Sequence, residues 1–150
     1  MKQYLKLMMA VMMFLALLVG CQSVVVPALI NATYDMAGPP IVGEAVNFED
    51  TCLLPIEIGW AFSGDLEGVA TSQTQIMSDG LCESDTQYGD LNEKWVATGT
   101  FEGAVNGKAG TFDYFLVAEV FERHFTAQMA IEPGTGTGEL AGINGIIKFK

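Results

Sequence analysis

His124-Phe125-Thr126-Ala127-Gln128-Met129-Ala130-Ile131 is the stretch whose reading decides the fold. Phe125, Ala127, Met129 and Ile131 fall on one face of an extended chain, and His124, Thr126, Gln128 and Ala130 fall on the other. A helix would scatter these residues around a cylinder, so the alternation predicts a half-buried strand. The pattern recurs upstream, where Trp95, Ala97, Gly99 and Phe101 alternate with Val96, Thr98, Thr100 and Glu102. It recurs downstream, where Ile143, Ile147 and Phe149 oppose Asn144, Lys148 and Lys150. β-rich segments at residues 41–48, 56–62, 66–77 and 111–117 bring the total to about seven or eight strands, separated by Gly, Asn and Asp. From Ile41 onward no long helical pattern with caps is present. The expectation is all-β: an antiparallel barrel or sandwich.

A weak repeat sharpens that choice. Phe62-Ser63-Gly64-Asp65-Leu66-Glu67-Gly68 and Phe101-Glu102-Gly103-Ala104-Val105-Asn106-Gly107 share Phe-x-Gly-x-x-x-Gly, and Leu140-Ala141-Gly142-Ile143-Asn144-Gly145 echoes the glycine spacing. Glycines in or beside strands mark hairpins, bulges and the bends that close barrels. Asn106-Gly107 is itself a strong two-residue hairpin signal. The repeat favours a closed barrel, with a Gly-punctuated sandwich as the alternative.

These blocks, together with Gly107-Lys108-Ala109-Gly110-Thr111-Phe112 and the run Glu132-Pro133-Gly134-Thr135-Gly136-Thr137-Gly138-Glu139-Leu140-Ala141-Gly142-Ile143-Asn144-Gly145, carry a resemblance. From about Phe62 to Lys150 the chain resembles an uncharacterised bacterial domain family with the allene oxide cyclase type of barrel. The resemblance implies an eight-stranded, closed, calycin-like antiparallel barrel with a central cavity, its final hairpin built by Gly134, Gly136, Gly138, Glu139, Gly142 and Gly145. It delivers no catalytic residue, because the matching blocks are turn glycines rather than pocket residues. The segment 118–123 departs from the polar hairpin that the family would place there.

The other end of the chain speaks to location. Lys2 and Lys6 precede an uncharged apolar run from Leu7 to Leu18, the n-region and h-region of a secretory signal. The run is shorter than the about 20 apolar residues of a membrane helix. Leu18-Val19-Gly20-Cys21 resembles the bacterial lipobox, which implies cleavage before Cys21 and lipid on its sulfur. Two or more acyl chains give durable attachment where one is marginal. The expected organisation is a cleaved signal at 1–20, a tether at 21–40 that contributes a strand or none, and a β-barrel domain at 41–150. The expected place is the cell envelope, at the outer membrane in a Gram-negative cell, since Gln22 differs from the aspartate of inner-membrane retention.

Removing the signal changes the composition. Five of the eight methionines leave with it, so the positive mean hydropathy is no sign of a membrane domain. Five basic residues then face eighteen acidic ones, a net charge of −13. Nucleic acid and anionic membrane surfaces are poor partners for such a domain. The acids from Asp79 to Glu93 lack the ligand spacing of a known calcium loop, and no His/Cys cluster suggests zinc. Neither a metal nor a cofactor is therefore expected. With Cys21 lipidated, Cys52 and Cys82 remain as a pair for a disulfide, which an exported compartment permits.

Sharper readings of single residues are outweighed by plainer ones. Gly134, Gly136 and Gly138 lack the following helix and lysine of a phosphate-binding loop. His124, the one histidine, reads as a solvated strand-end residue. Glu139 reads as a carboxylate that accepts backbone N–H bonds and fixes a hairpin. Trp60, Phe62, Trp95, Phe101, Phe112, Tyr114 and Phe115 either fill the barrel or line a space for one apolar guest. The leading functional expectation is non-enzymatic: binding a small hydrophobic ligand, or acting as an envelope interaction scaffold. A cyclase or isomerase that confines an apolar substrate is the alternative. Catalytic residues and oligomeric state are not specified by the sequence.

Overall fold

The computed structural model describes residues 31–82, 92–122 and 124–149. Cys21, the signal at 1–20 and most of the acidic stretch between Asp79 and Glu93 lie outside the described residues. Nine strands follow in chain order: β1 (Ala32–Met36), β2 (Ile41–Val42), β3 (Val46–Phe48), β4 (Thr51–Gly64), β5 (Leu66–Asp79), β6 (Glu93–Val105), β7 (Lys108–Phe121), β8 (His124–Ile131) and β9 (Gly145–Phe149). All paired neighbours are antiparallel, in the order β1-β4-β5-β6-β7-β8-β9, and β2 and β3 also pair with β4. The result is a meander curled into a half-barrel. Among the described residues no ladder joins β9 to β1.

β1, β2 and β3 lie end to end along one edge of β4, with Tyr34 opposite Phe62, Ile41 opposite Glu57 and Val46 opposite Leu53. The single strand expected over residues 41–48 is therefore two short ones. The break faces Pro55, which accepts from Gly43 N–H at 2.9 Å but has no N–H to return.

The inward alternation follows the sequence. Phe125, Ala127, Met129 and Ile131 line the concave face, as do Trp95, Ala97 and Phe101. Phe101 and Phe112 are opposite each other on β6 and β7 and stack at 4.8 Å, both fully buried. Gly99 faces Tyr114 across the same pair of strands, and a Cβ at Gly99 would strike the Thr71 carbonyl oxygen and the Tyr114 ring. The tyrosine thus occupies the space that the glycine leaves. Gly103, in the left-handed region at φ 158°, lies against Gly68 so closely that a side chain on either would collide with the opposite backbone. Phe115, grouped by sequence with the interior aromatics, points outward and is exposed.

Asn106 and Gly107 form the predicted two-residue turn, with φ 51° and 76°. Residues 118–121, where the family resemblance departs, continue β7 and pair with β8. The glycine-rich run is not a tight hairpin. It is a loop from β8 to β9 containing one 3-10 turn, Gly138–Leu140, and it lies along the first half of β7. There the loop pairs mostly through side chains. The N–H groups of Ala109, Thr111 and Asp113 donate to Glu139 Oε2 at 3.1 Å, Thr137 Oγ1 at 3.1 Å and Thr135 Oγ1 at 3.0 Å. Glu139 thus accepts a backbone N–H of β7 and ties the loop to that strand. Leu140 inserts into the core below the loop.

Cys52, at the start of β4, and Cys82, after β5, form a disulfide across a separation of 30 residues. In the chain-entropy picture this loop contributes about 3 to 4 kcal/mol.

Candidate functional site

Six aromatic side chains converge where the half-barrel stays open. Tyr34 comes from β1, Trp60 and Phe62 from β4, Trp95 from β6, Phe125 from β8 and Phe149 from β9. Alternation aims each of them inward, and the curl of the sheet brings the first and last strands face to face. Tyr34 spans the gap: its ring lies 5.5 Å from Phe149, 5.8 Å from Trp60 and 6.3 Å from Phe125. Trp95 meets Phe125 at 5.6 Å and Trp60 meets it at 6.3 Å. All but Phe62 are only partly buried. These rings border a void of about 20 Å³, room for roughly one water. The apolar cavity of a few hundred Å³ that a resident guest would need is thus not open in this conformation.

One wall differs in chemistry. Ser72 and Thr74 on β5 face the void and are buried. Their hydroxyls lie 3.1 Å apart, and Ser72 Oγ donates to Ile58 O at 3.3 Å. Behind them the Tyr114 hydroxyl donates to Thr71 O at 3.2 Å. Burial pushes the Tyr114 phenol above its ordinary value of 10.0, and the nearby Ser72 side chain opposes that rise. On the far side of Trp95, buried Glu93 accepts the indole N–H at 2.7 Å and fixes that ring.

The residues singled out by sequence are dispersed. His124 is exposed at the start of β8, its Nδ1 3.0 Å from Glu122 O. Gly134, Gly136, Gly138, Glu139, Gly142 and Gly145 belong to the loop along β7 and its junction with β9, away from the aromatic seam. Among the described residues no group of three His, Cys, Asp or Glu side chains is placed to hold a metal. Trp60, Phe62 and Trp95 do line the void, but Tyr34, Phe149, Ser72 and Thr74 were not anticipated. The inward positions of Ser72 and Thr74, hydroxyls where a core strand would carry aliphatics, were the available signal.

The family model described as Protein of unknown function (DUF3224) matches residues 43–150. No curated protein sequence matches the chain significantly. Among solved structures the fold is similar to the crystal structure of a protein with unknown function from the DUF3224 family of Shewanella oneidensis MR-1. That likeness has a TM-score of 0.58 and 18% identity, and covers 79% of this chain and 84% of that one. At such identity it speaks to the fold alone.

Proposed function

We propose that this chain, which belongs to the DUF3224 family, is a membrane-anchored lipoprotein whose domain holds a small apolar ligand at the aromatic seam. The observation that carries the reading is the convergence of six rings from five strands on one void, at the place where the ladder is incomplete. A domain of this size has no need to leave five aromatic side chains partly exposed together, and a cluster of that kind marks a binding surface. The void is small because the rings lean into it. Tyr34 and Phe149 stand on β1 and β9, which share no ladder among the described residues, so their outward swing breaks no strand pairing across the seam. A bound ligand then fills the interior of the allene oxide cyclase-like barrel that the sequence resembles. The lining contains no carboxylate or imidazole, which favours a carrier over a cyclase or isomerase.

Both tryptophans of the protein line the seam, so their fluorescence reports on it directly. Titration with N-phenyl-1-naphthylamine is expected to give saturable energy transfer from tryptophan, and native mass spectrometry of protein from its own cells a co-purifying apolar molecule. A linear, unsaturable response with no co-purifying mass would sink the ligand reading. For the anchor, Cys21→Ser is expected to move the protein out of the membrane fraction; unchanged retention rejects it.

A second reading, the interaction scaffold, has its own observation. Phe115 and Ile146 flank Ala130 on the outer face of β7, β8 and β9, with Val117 beside them, and Phe115 and Ile146 are 43% and 60% exposed. A photo-cross-linker at position 115 in intact cells is expected to give one discrete adduct if this face is used, and none if it is not.

A further inference from the structure

The seam is apolar on every side except β5, and that asymmetry constrains what enters it. Ser72 lies opposite Ile58 and Thr74 opposite Ile56, so the two hydroxyls occupy inward positions that their partner strand fills with isoleucine. Burying a hydroxyl is unfavourable unless it is bonded. The pair has two protons to place. With Ser72 Oγ donating to Ile58 O and Thr74 Oγ1 donating to Ser72, the Thr74 oxygen keeps its lone pairs toward the void. With the pair reversed, Ser72 exchanges its bond to Ile58 O for one to Thr74, and Thr74 presents its proton instead. Either way, Thr74 offers one hydrogen-bonding function to a guest, as acceptor or as donor, at the end of an aromatic slot.

We infer that the ligand is a flat, uncharged molecule with one hydroxyl or carbonyl end, its ring system against Trp60, Trp95 and Phe125 in the space that Tyr34 and Phe149 vacate, and its polar end on Thr74. This rests on the ligand reading above and narrows it to a chemical class. An anionic head is excluded by desolvation, since the lining holds no Lys, Arg or His and the domain as a whole is strongly acidic. A cationic head would be drawn to a cage of ring faces. Here, however, Tyr34 meets Trp60 at 79° and Phe149 at 81°, edge to face, so the rings satisfy one another.

The test uses four probes of one shape: naphthalene, 2-naphthol, 2-naphthoate and 2-naphthyltrimethylammonium, titrated by calorimetry into protein purified from cells expressing the full chain. One neutral hydrogen bond predicts 2-naphthol binding about five- to tenfold tighter than naphthalene, with 2-naphthoate weaker than both. Thr74→Val is expected to bring 2-naphthol down to the affinity of naphthalene and to leave naphthalene unchanged; Ser72→Ala serves as a second variant if Thr74→Val does not fold. Equal binding of naphthalene and 2-naphthol, or tightest binding of either charged probe, overturns this inference and leaves the ligand reading standing. Failure of all four probes removes the ligand reading, and this inference with it.

Discussion

The two ends of the half-barrel use the same residue types to opposite effect. At one end Phe101 and Phe112 stack at 4.8 Å, Leu66 and Leu140 close around them, and all four are sealed from solvent. At the other, Tyr34, Trp60, Trp95, Phe125 and Phe149 make ring contacts of similar length yet stay partly exposed. Aromatic content therefore does not separate core from site. Position relative to the sheet's edges does: Phe101 and Phe112 stack between two paired central strands, and the open cluster includes Tyr34 and Phe149 from β1 and β9, which share no ladder among the described residues.

The largest expected effect tests the sealed end. Phe101→Ala should lower the unfolding free energy by about 3 to 5 kcal/mol in denaturant titrations followed by tryptophan fluorescence. A loss under about 1 kcal/mol would mean that this end is not packed as described. Opening the disulfide with Cys52→Ala and Cys82→Ala together should cost about 3 to 4 kcal/mol, measured the same way without reductant. At the seam, Phe149→Ala should cost only about 1 to 2 kcal/mol while removing saturable probe binding. If its cost matches that of Phe101→Ala, the contrast between the ends collapses.

Two smaller effects sharpen the picture. The Tyr114 phenol has its pKa raised in the folded protein, so folding favours the neutral form. The stability linked to it is complete below the unfolded value near 10 and is lost as pH rises through the higher folded one. Tyr114→Phe should therefore flatten the alkaline fall in melting temperature relative to the parent, and an unchanged fall would assign it to other groups. Glu139→Gln, which keeps an acceptor for the Ala109 N–H, should cost less than about 1 kcal/mol; a larger loss would show that the carboxylate charge itself matters.

Much of this fold was legible in alternation. The inward sets of β6 and β8 and the Asn106-Gly107 turn follow from residue type and spacing, because period two and turn chemistry are local, and the Cys52–Cys82 pair follows from the cysteine count once Cys21 is set aside. The site was not. Tyr34 contacts Phe149 across 115 positions of sequence, and only the curl of the whole sheet brings them together. The course of the glycine run between β8 and β9 escaped for a different reason. Its Thr-x-Thr-x-Glu alternation is that of a strand, but the side chains, rather than the backbone alone, carry the pairing to β7.

That substitution by side chains bears on life at close quarters. Wherever copies of one chain meet, bare strand edges invite polymerisation. Along the first half of β7, three N–H donors that a neighbouring chain could have captured are already occupied by Thr135, Thr137 and Glu139. No flat strand is laid beside them to become the next edge. The loop ends the sheet on that side without passing the problem outward, and so works against pairing of copies through this edge.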